Sequence, residues 1–373
     1  MTFRKLLAGV AAAATLLSGM AFGAGSAMAD EVKPATITLN GKKTGAVKGH
    51  TYKAVRIGSY DHASFVEKDD VTYVESLTVN TEAAVATGAT TALDAAVAEG
   101  TTWNTGDYQD NPVGYVASES GYFTSSPNKP WSGNLRNFVS SLVRQTDFQA
   151  VLAAATPYTA GTDSDTLTIS GLEEGLYVVV DTTVSNAKNV DHTQTDSIPM
   201  LVGTKVSGKD FEGQTLGVVN VKNQTTYINK VIVKNNQEWV GTTERVGDTV
   251  TFKLTSQVPL TVGYLNTAEK PYRFFIGDTM SKGLTFQEVT SVTIGNKTLT
   301  KADDGATATA DQYQLTTTAN QKYDESDKDS KATVLKLDLY NAVNEAGQHA
   351  SGRAATAKGE AHIPTVTTAI RNK

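Results

Sequence analysis

Aliphatic residues alternate with polar ones through much of the chain. Ala35-Thr36-Ile37-Thr38-Leu39, Thr166-Leu167-Thr168-Ile169 and Thr249-Val250-Thr251-Phe252-Lys253-Leu254 all repeat with a period of two. Successive side chains of a strand point to opposite faces, so this period predicts strands with one face buried. Many short strands of this kind predict a sandwich. Two segments break the pattern. Glu82 to Ala98 is rich in alanine, with Val85, Leu93 and Val97 spaced for a helical face. Asn134 to Ala154 sets Leu135, Phe138, Val139, Leu142 and Val143 on one stripe. Both predict helices inserted in a β domain. Thr101 to Trp131 between them is rich in Gly, Asn, Pro and Ser, and predicts an ordered surface excursion.

The strand-like run Leu216 to Val221 ends at Lys222-Asn223-Gln224-Thr225, and Tyr227 to Val233 opens a new apolar run. These features predict a first domain over 30–222 and a second over 223–373. Asp303 to Lys331 is polar without aliphatic stripes and reads as a long hairpin excursion within the second domain. Residues 1–29 belong to neither. Arg4 and Lys5, the apolar run Leu6 to Leu17, and the small residues of Ala27-Met28-Ala29 form the three parts of a secretory signal peptide, with cleavage before Asp30.

Composition narrows the function classes. The formal charge is −6, and removing the signal segment with its two cations, Arg4 and Lys5, leaves −8. An acidic exported chain has no electrostatic attraction for nucleic acid or anionic lipid. No stretch after residue 29 is long and apolar enough to span a membrane as a helix. The chain contains no cysteine, which excludes disulfides, thiolate zinc sites and cysteine nucleophiles. The five histidines, His50, His62, His192, His349 and His362, are scattered and read as isolated surface groups, so no metal site is expected. There is no phosphate-binding Gly-rich loop and no Gly-x-Ser-x-Gly elbow. Asp69-Asp70, Glu173-Glu174 and Asp303-Asp304 sit in polar contexts that suit solvated turns better than a glycosidase site. No cofactor is implied.

Three pieces of the second domain stand out. Tyr227-Ile228-Asn229-Lys230-Val231-Ile232-Val233 holds one lysine in an apolar strand. Val246-Gly247-Asp248-Thr249-Val250-Thr251-Phe252 is a turn leading into a strand. Phe274-Phe275-Ile276-Gly277-Asp278-Thr279-Met280-Ser281-Lys282-Gly283-Leu284 sets one acid after a fully apolar run. Taken singly, Lys230 suits an edge strand guarded by charge, and Asp278 suits a turn.

Together and in this order, the pieces resemble the isopeptide-forming domain of Gram-positive backbone pilins, across most of residues 210–300. The resemblance implies a mainly β fold of tandem immunoglobulin-like, collagen-adhesin type sandwiches, the first with inserted helices. It also implies a core crosslink, in which a lysine amine condenses with an asparagine carboxamide and ammonia leaves. Lys230 would be the nucleophile and Asp278 the acid. The chemistry suits these residue types, because burial favours a neutral amine and a protonated carboxylic acid. The amide partner is left unassigned. The family's asparagine belongs to the last strand, whereas Asn341 and Asn344 end what reads as a penultimate strand and its turn. The tail from Gln348 to Lys373 holds only Asn372.

In the first domain, Gly171-Leu172-Glu173-Glu174-Gly175-Leu176-Tyr177-Val178-Val179-Val180-Asp181 is similar to the strand motif called an E-box, with Asp181 where glutamate is usual. Thr51-Tyr52-Lys53-Ala54-Val55-Arg56-Ile57 is similar to the family's opening strand. A first-domain crosslink would draw on Lys53, Asp181 and Asn220, an imperfect set from which no completed bond is expected. Val219-Asn220-Val221-Lys222-Asn223 resembles the junction motif Val-Tyr-Pro-Lys-Asn, whose lysine accepts the next subunit from a sortase. Lys222 is thus either that acceptor or an ordinary solvated linker residue. The family's C-terminal Leu-Pro-x-Thr-Gly signal is not in this sequence, and a truncated or frame-altered C-terminus would account for that.

The resemblance makes the chain a non-enzymatic fimbrial shaft subunit at the cell surface, with other pilin copies and a sortase as partners. A second reading is an adhesin for host glycan or matrix. Trp103, Tyr108, Tyr115, Tyr122, Phe123 and Trp131 crowd one excursion, and such rings either stack on sugars or anchor the excursion on its own domain.

Overall fold

The computed structural model describes residues 34–41, 45–98, 100–118, 133–162, 164–183, 194–223, 226–241, 243–259, 273–281, 283–321, 331–345 and 365–372. The chain divides into two compact units between Asn223 and Gln224. Both are built mainly of strands. No helix among the described residues is long and apolar enough to cross a membrane.

The first unit contains β1 (Ala35–Asn40), β2 (Thr51–Lys68), β3 (Val71–Thr81), β4 (Pro157–Thr159), β5 (Thr166–Leu172), β6 (Gly175–Asp181), β7 (Met200–Gly203) and β8 (Val218–Asn220). One sheet has the order β3-β2-β6-β7 with β4 beside β2, and a second has the order β5-β1-β8. β6 is buried at all seven positions. Its alternate side chains enter two different cores. Tyr177 and Val179 pack with Ile37, Leu39, Tyr52 and Ile169 between the two sheets. Leu176, Val178 and Val180 pack on the other side with Val55, Phe138, Leu142 and Phe148. A strand buried on both faces loses the alternation and reads as a continuous apolar run, as Leu176 to Val180 does. β1 runs antiparallel to β5 and parallel to β8, with Thr38 opposite Val218 and Asn40 opposite Asn220.

Helices cover the second face of the larger sheet, making the unit three layers deep. They are α1 (Ala86–Ala96), α2 (Pro112–Ser118), α3 (Asn134–Leu142) and α4 (Thr146–Ala154). A 3-10 turn over Ala83–Val85 leads into α1. The sequence predicts one helix from Asn134 to Ala154, but the chain breaks it. Gln145 is extended at the start of α4 (ψ 143°), and Asp147 turns away to accept a hydrogen bond from Gly88 N at 2.7 Å. A Cβ on Gly88 would lie 2.2 Å from Asp147 Oδ1, so glycine sets the approach of α1 to α4. Within the excursion after Thr101, α2 starts with Pro112 at its first position. The side chain of Asn111 caps it, accepting from Gly114 N at 3.1 Å.

The second unit contains β9 (Ile228–Lys234), β10 (Gln237–Trp239), β11 (Val250–Gln257), β12 (Phe275–Ser281), β13 (Phe286–Ile294), β14 (Lys297–Thr298), β15 (Thr300–Lys301), β16 (Gln312–Gln321), β17 (Ala332–Asp338) and β18 (Thr365–Asn372). They form a six-stranded sheet, β10-β9-β11-β18-β13-β14, and a four-stranded one, β12-β17-β16-β15. Leu254, Val292 and Ile294 of the first meet Ile276, Met280, Tyr313, Leu335 and Leu337 of the second. The polar stretch 303–331 is not an excursion throughout. Gln312 to Gln321 forms β16, which pairs with β17 and places Tyr313 in the core. β17 is followed by a helical turn over 340–345.

Phe138 is fully buried among the helices and the sheet. Its truncation leaves a cavity with few routes to collapse. Phe138→Ala is therefore expected to destabilise the first unit by about 3–5 kcal/mol, measured by urea unfolding.

Candidate functional site

The second unit brings Lys230 and Asp278 together. β12 alternates strictly between exposed and buried positions, with Ile276, Asp278 and Met280 turned into the sandwich. Asp278 is therefore an inner strand residue and not a turn acid after the strand. On the facing sheet, Lys230 stands opposite Leu254 of β11, whose side chain is in the core. Paired residues share a face, so Lys230 also points inward. Its Nζ donates to Asp278 Oδ1 at 2.6 Å. The two residues lie on facing sheets.

Phe252 completes the group. Its ring centroid is 4.5 Å from Lys230 Nζ, so the amine sits between a carboxylate and an aromatic face. Phe252 ends the Val-Gly-Asp-x-Val-x-Phe motif, and sequence reasoning gave it no role. The signal was present in the spacing. Phe252 and Leu254 share a face of β11, and the β9 register sets both beside Lys230.

The burial of the pair is unequal. The side chain of Asp278 is 6% exposed and that of Lys230 is 36% exposed. A fully buried lysine, expected from the apolar run, is not what forms. β9 lies next to the edge strand β10, and Ile228 on the same strand is 54% exposed. Asp278 Oδ2 is buried and has no hydrogen-bond partner among the described residues.

No candidate asparagine meets this pair. Asn341 lies in the helical turn and donates to Ala308 O at 2.6 Å, and Asn344 lies in the same turn. The last strand puts Thr368 opposite Leu254, two strands from Lys230. Asn372 stands opposite Val250. That is four residues further along, about 13 Å at strand spacing.

The first-domain candidates do not assemble either. Lys53 stands opposite Val180 and Tyr52 opposite Asp181, so Lys53 and Asp181 face different layers. Lys53 Nζ donates to Leu152 O at 3.0 Å and Ala153 O at 2.9 Å, capping the C-terminus of α4. Asn220 pairs with Asn40 in the smaller sheet.

Asp181 instead ties a buried network. Oδ1 accepts from Thr183 N at 3.1 Å and Thr183 Oγ1 at 2.5 Å. Oδ2 accepts from Ser197 N at 2.8 Å and His50 Nδ1 at 2.9 Å. His50 is fully buried, which overturns its reading as a surface group. Burial, and next the charge of Asp181, push the Tyr52 phenol well above its ordinary pKa. His50, Asp181 and Asp196 offer ligand atoms within 4.8 Å of one another, a grouping the scattered sequence positions do not announce. The four donors on Asp181 make it a hydrogen-bonded tie from the end of β6 to Thr183, Ser197 and His50.

Lys222 is half-buried at the end of the first unit rather than solvent-exposed, and its carbonyl accepts from Ile198 N at 3.0 Å. In the aromatic excursion, Trp103 is buried and donates Nε1–H to Asp94 Oδ1 at 2.7 Å. Its ring is 6.1 Å from that of Tyr115, which meets Tyr108 edge-on at 5.5 Å. Tyr122, Phe123 and Trp131 lie outside the described residues.

No family profile and no curated protein matches the chain. Solved structures do, and they are pilins. The full-length major pilin SpaD from Corynebacterium diphtheriae aligns at 14% identity and a TM-score of 0.37, over 94% of this chain and 58% of that one. The T6 backbone pilin of Streptococcus pyogenes aligns at 14% identity and a TM-score of 0.37, over 92% and 54%. The major pilin SpaA of C. diphtheriae aligns at 13% identity and a TM-score of 0.38, over 91% and 58%. The chain thus spans less than three fifths of the length of these pilin structures.

The contrast between Asp181 and Lys53 is measurable. Asp181→Ala removes the acceptor of four buried donors and should cost about 3–5 kcal/mol of stability. Lys53→Met keeps the packing stem and loses only the helix cap, about 1 kcal/mol. Urea unfolding of the two variants that gave the reverse order would show the roles to be misassigned.

Proposed function

We propose that the chain is a shaft subunit of a surface fimbria, an exported adhesive structural protein with no turnover chemistry. The observation that supports this reading is the meeting of Lys230, Phe252 and Asp278. Each comes from a separate piece of the backbone-pilin motif, and they converge inside one sandwich. In this reading Lys230 is the crosslinking nucleophile and Asp278 the acid that polarises a carboxamide and carries its proton. A crosslink of this kind serves a chain without cysteine as a disulfide would, by limiting the unfolded ensemble.

Lys222 is the proposed acceptor for a sortase-activated carboxyl end of the next copy. Its place at the end of the first unit and its partial exposure support that role. The adhesin reading is weaker. Trp103, Tyr108 and Tyr115 pack on one another, and Trp103 joins the helical-side core, so these rings anchor the excursion more than they present it.

The test combines the cognate sortase, a sorting-competent subunit and the chain. Wild type is expected to enter ladders on a denaturing gel, and Lys222→Ala is expected to be lost from them. Equal ladders from both would reduce Lys222 to a linker residue, and ladders from neither would remove the shaft role.

A further inference from the structure

A second cluster of ligand-type side chains lies in the first unit, at the end of β6. His50, Asp181 and Asp196 are far apart in sequence, yet each offers a ligand atom within 4.8 Å of the other two. His50 and Asp181 are buried, and Asp196 is half-buried, which gives an ion a way in from solvent. Each member is held from behind. His50 N closes a turn onto Val47 O at 3.0 Å, and His50 O accepts from Ala160 N at 2.9 Å. The His50 ring stacks on that of Tyr52 at 6.2 Å. Thr183 donates twice to Asp181 Oδ1, which leaves Oδ2 turned toward His50. Asp196 precedes Ser197, whose N–H donates to Asp181 Oδ2 at 2.8 Å and whose hydroxyl bonds Tyr52 Oη at 3.2 Å. Outer hydrogen bonds orient metal ligands in this manner.

Charge gives a second, independent argument. Two carboxylates gathered where water is scarce repel each other strongly. Tyr52 registers both: burial first, then Asp181 and, less strongly, Asp196 hold its phenol well above the ordinary pKa. Tyr52 therefore stays a neutral phenol beside the cluster. A protonated imidazole offsets one of the two negative charges. A divalent ion bound to the neutral imidazole offsets both.

We propose that His50, Asp181 and Asp196 bind one divalent transition-metal ion, of which zinc fits best. The ion ties the start of β2 and the end of β6 to the segment that enters β7. One imidazole nitrogen with two carboxylate oxygens suits zinc, whereas calcium calls for about six to eight oxygens. Zinc bonds of about 2.0–2.1 Å at tetrahedral angles set ligand atoms about 3.3 Å apart. His50 Nδ1 and Asp181 Oδ2 are 2.9 Å apart and share a proton. The ion takes the place of that proton. The proton passes to water, the ring is protonated at Nε2, and the Nδ1 lone pair goes to the metal. The pair opens slightly and the Asp196 carboxylate closes on the ion. The network is complete with the proton in place, so the ion adds a tie to a fold that does not depend on it. In a chain without cysteine, such an ion joins distant segments as a disulfide would.

The experiment strips the chain over residues 30–373 with a chelator and titrates it calorimetrically with zinc, manganese and calcium chlorides. One zinc per chain is expected, bound at least about tenfold more tightly than manganese, with no heat from calcium. Zinc at about a hundred times its Kd should raise the unfolding temperature by about 5–10 °C. X-ray absorption at the zinc edge should show nitrogen among oxygen ligands. His50→Gln and Asp181→Asn alter buried groups and can fail to fold, so Asp196→Asn carries the decision. It should weaken zinc at least about tenfold. His62→Gln, which alters an exposed histidine beside Asp61, should leave the affinity unchanged. No uptake of zinc would overturn the proposal, as would uptake that Asp196→Asn leaves intact. Calcium binding as tight as zinc binding would overturn it too, by making the site an oxygen-only one. None of these results bears on the shaft reading, which rests on Lys222, Lys230 and Asp278.

Discussion

An acid at an inward strand position must be met by donors from the layers around it, because a buried carboxylate left unmatched is costly. Both units carry such an acid, and their structures follow from how it is met. In the first, Asp181 receives four donors from three segments, including the buried His50. That arrangement fixes the end of β6, and β6 in turn separates the two cores. In the second, Asp278 receives one cation across the sandwich, and its other oxygen is unmet among the described residues. One acid is a finished piece of architecture, and the other has capacity to spare.

The same contrast extends to the lysines. Lys53 spends its amine on the carbonyls that end α4, so the strand position that resembles a crosslink site is a helix cap. Lys230 lies over an aromatic ring beside an acid, with a third of its side chain in solvent. The pair is asymmetric, a buried carboxylate held by a partly exposed cation.

Much of the fold was legible because strands half-buried in a sandwich keep their period. The alternation in β1, β5 and β11 maps onto the elements that form, and the apolar run of β6 marks a strand buried on both sides. The break between α3 and α4 was hidden, since neither Gly nor Pro marks it; a contact between Asp147 and Gly88, far apart in sequence, sets it. α2 had a signal, Asn111-Pro112, inside a stretch whose composition suggested only loop. At the site, the types and order of Lys230, Phe252 and Asp278 were visible. What was hidden was depth: whether a strand lies under the centre of the facing sheet or past its edge depends on strand order. His50 escaped notice because its partner, Asp181, is 131 residues away.

The pairing of β1 with β8 has a mechanical meaning. These are the first and last strands of the first unit among the described residues, and they run parallel, with Thr38 N bonded to Gly217 O and Val221 N to Asn40 O at the two ends of the ladder. Tension applied through the two ends of the unit pulls such strands lengthwise past each other. The load falls on all the rungs at once, whereas a terminal hairpin would peel open one rung at a time. Resistance to that load is a matter of the rate of rupture rather than of equilibrium stability. A unit tied in this way can transmit a pull along its length before any of its core is exposed.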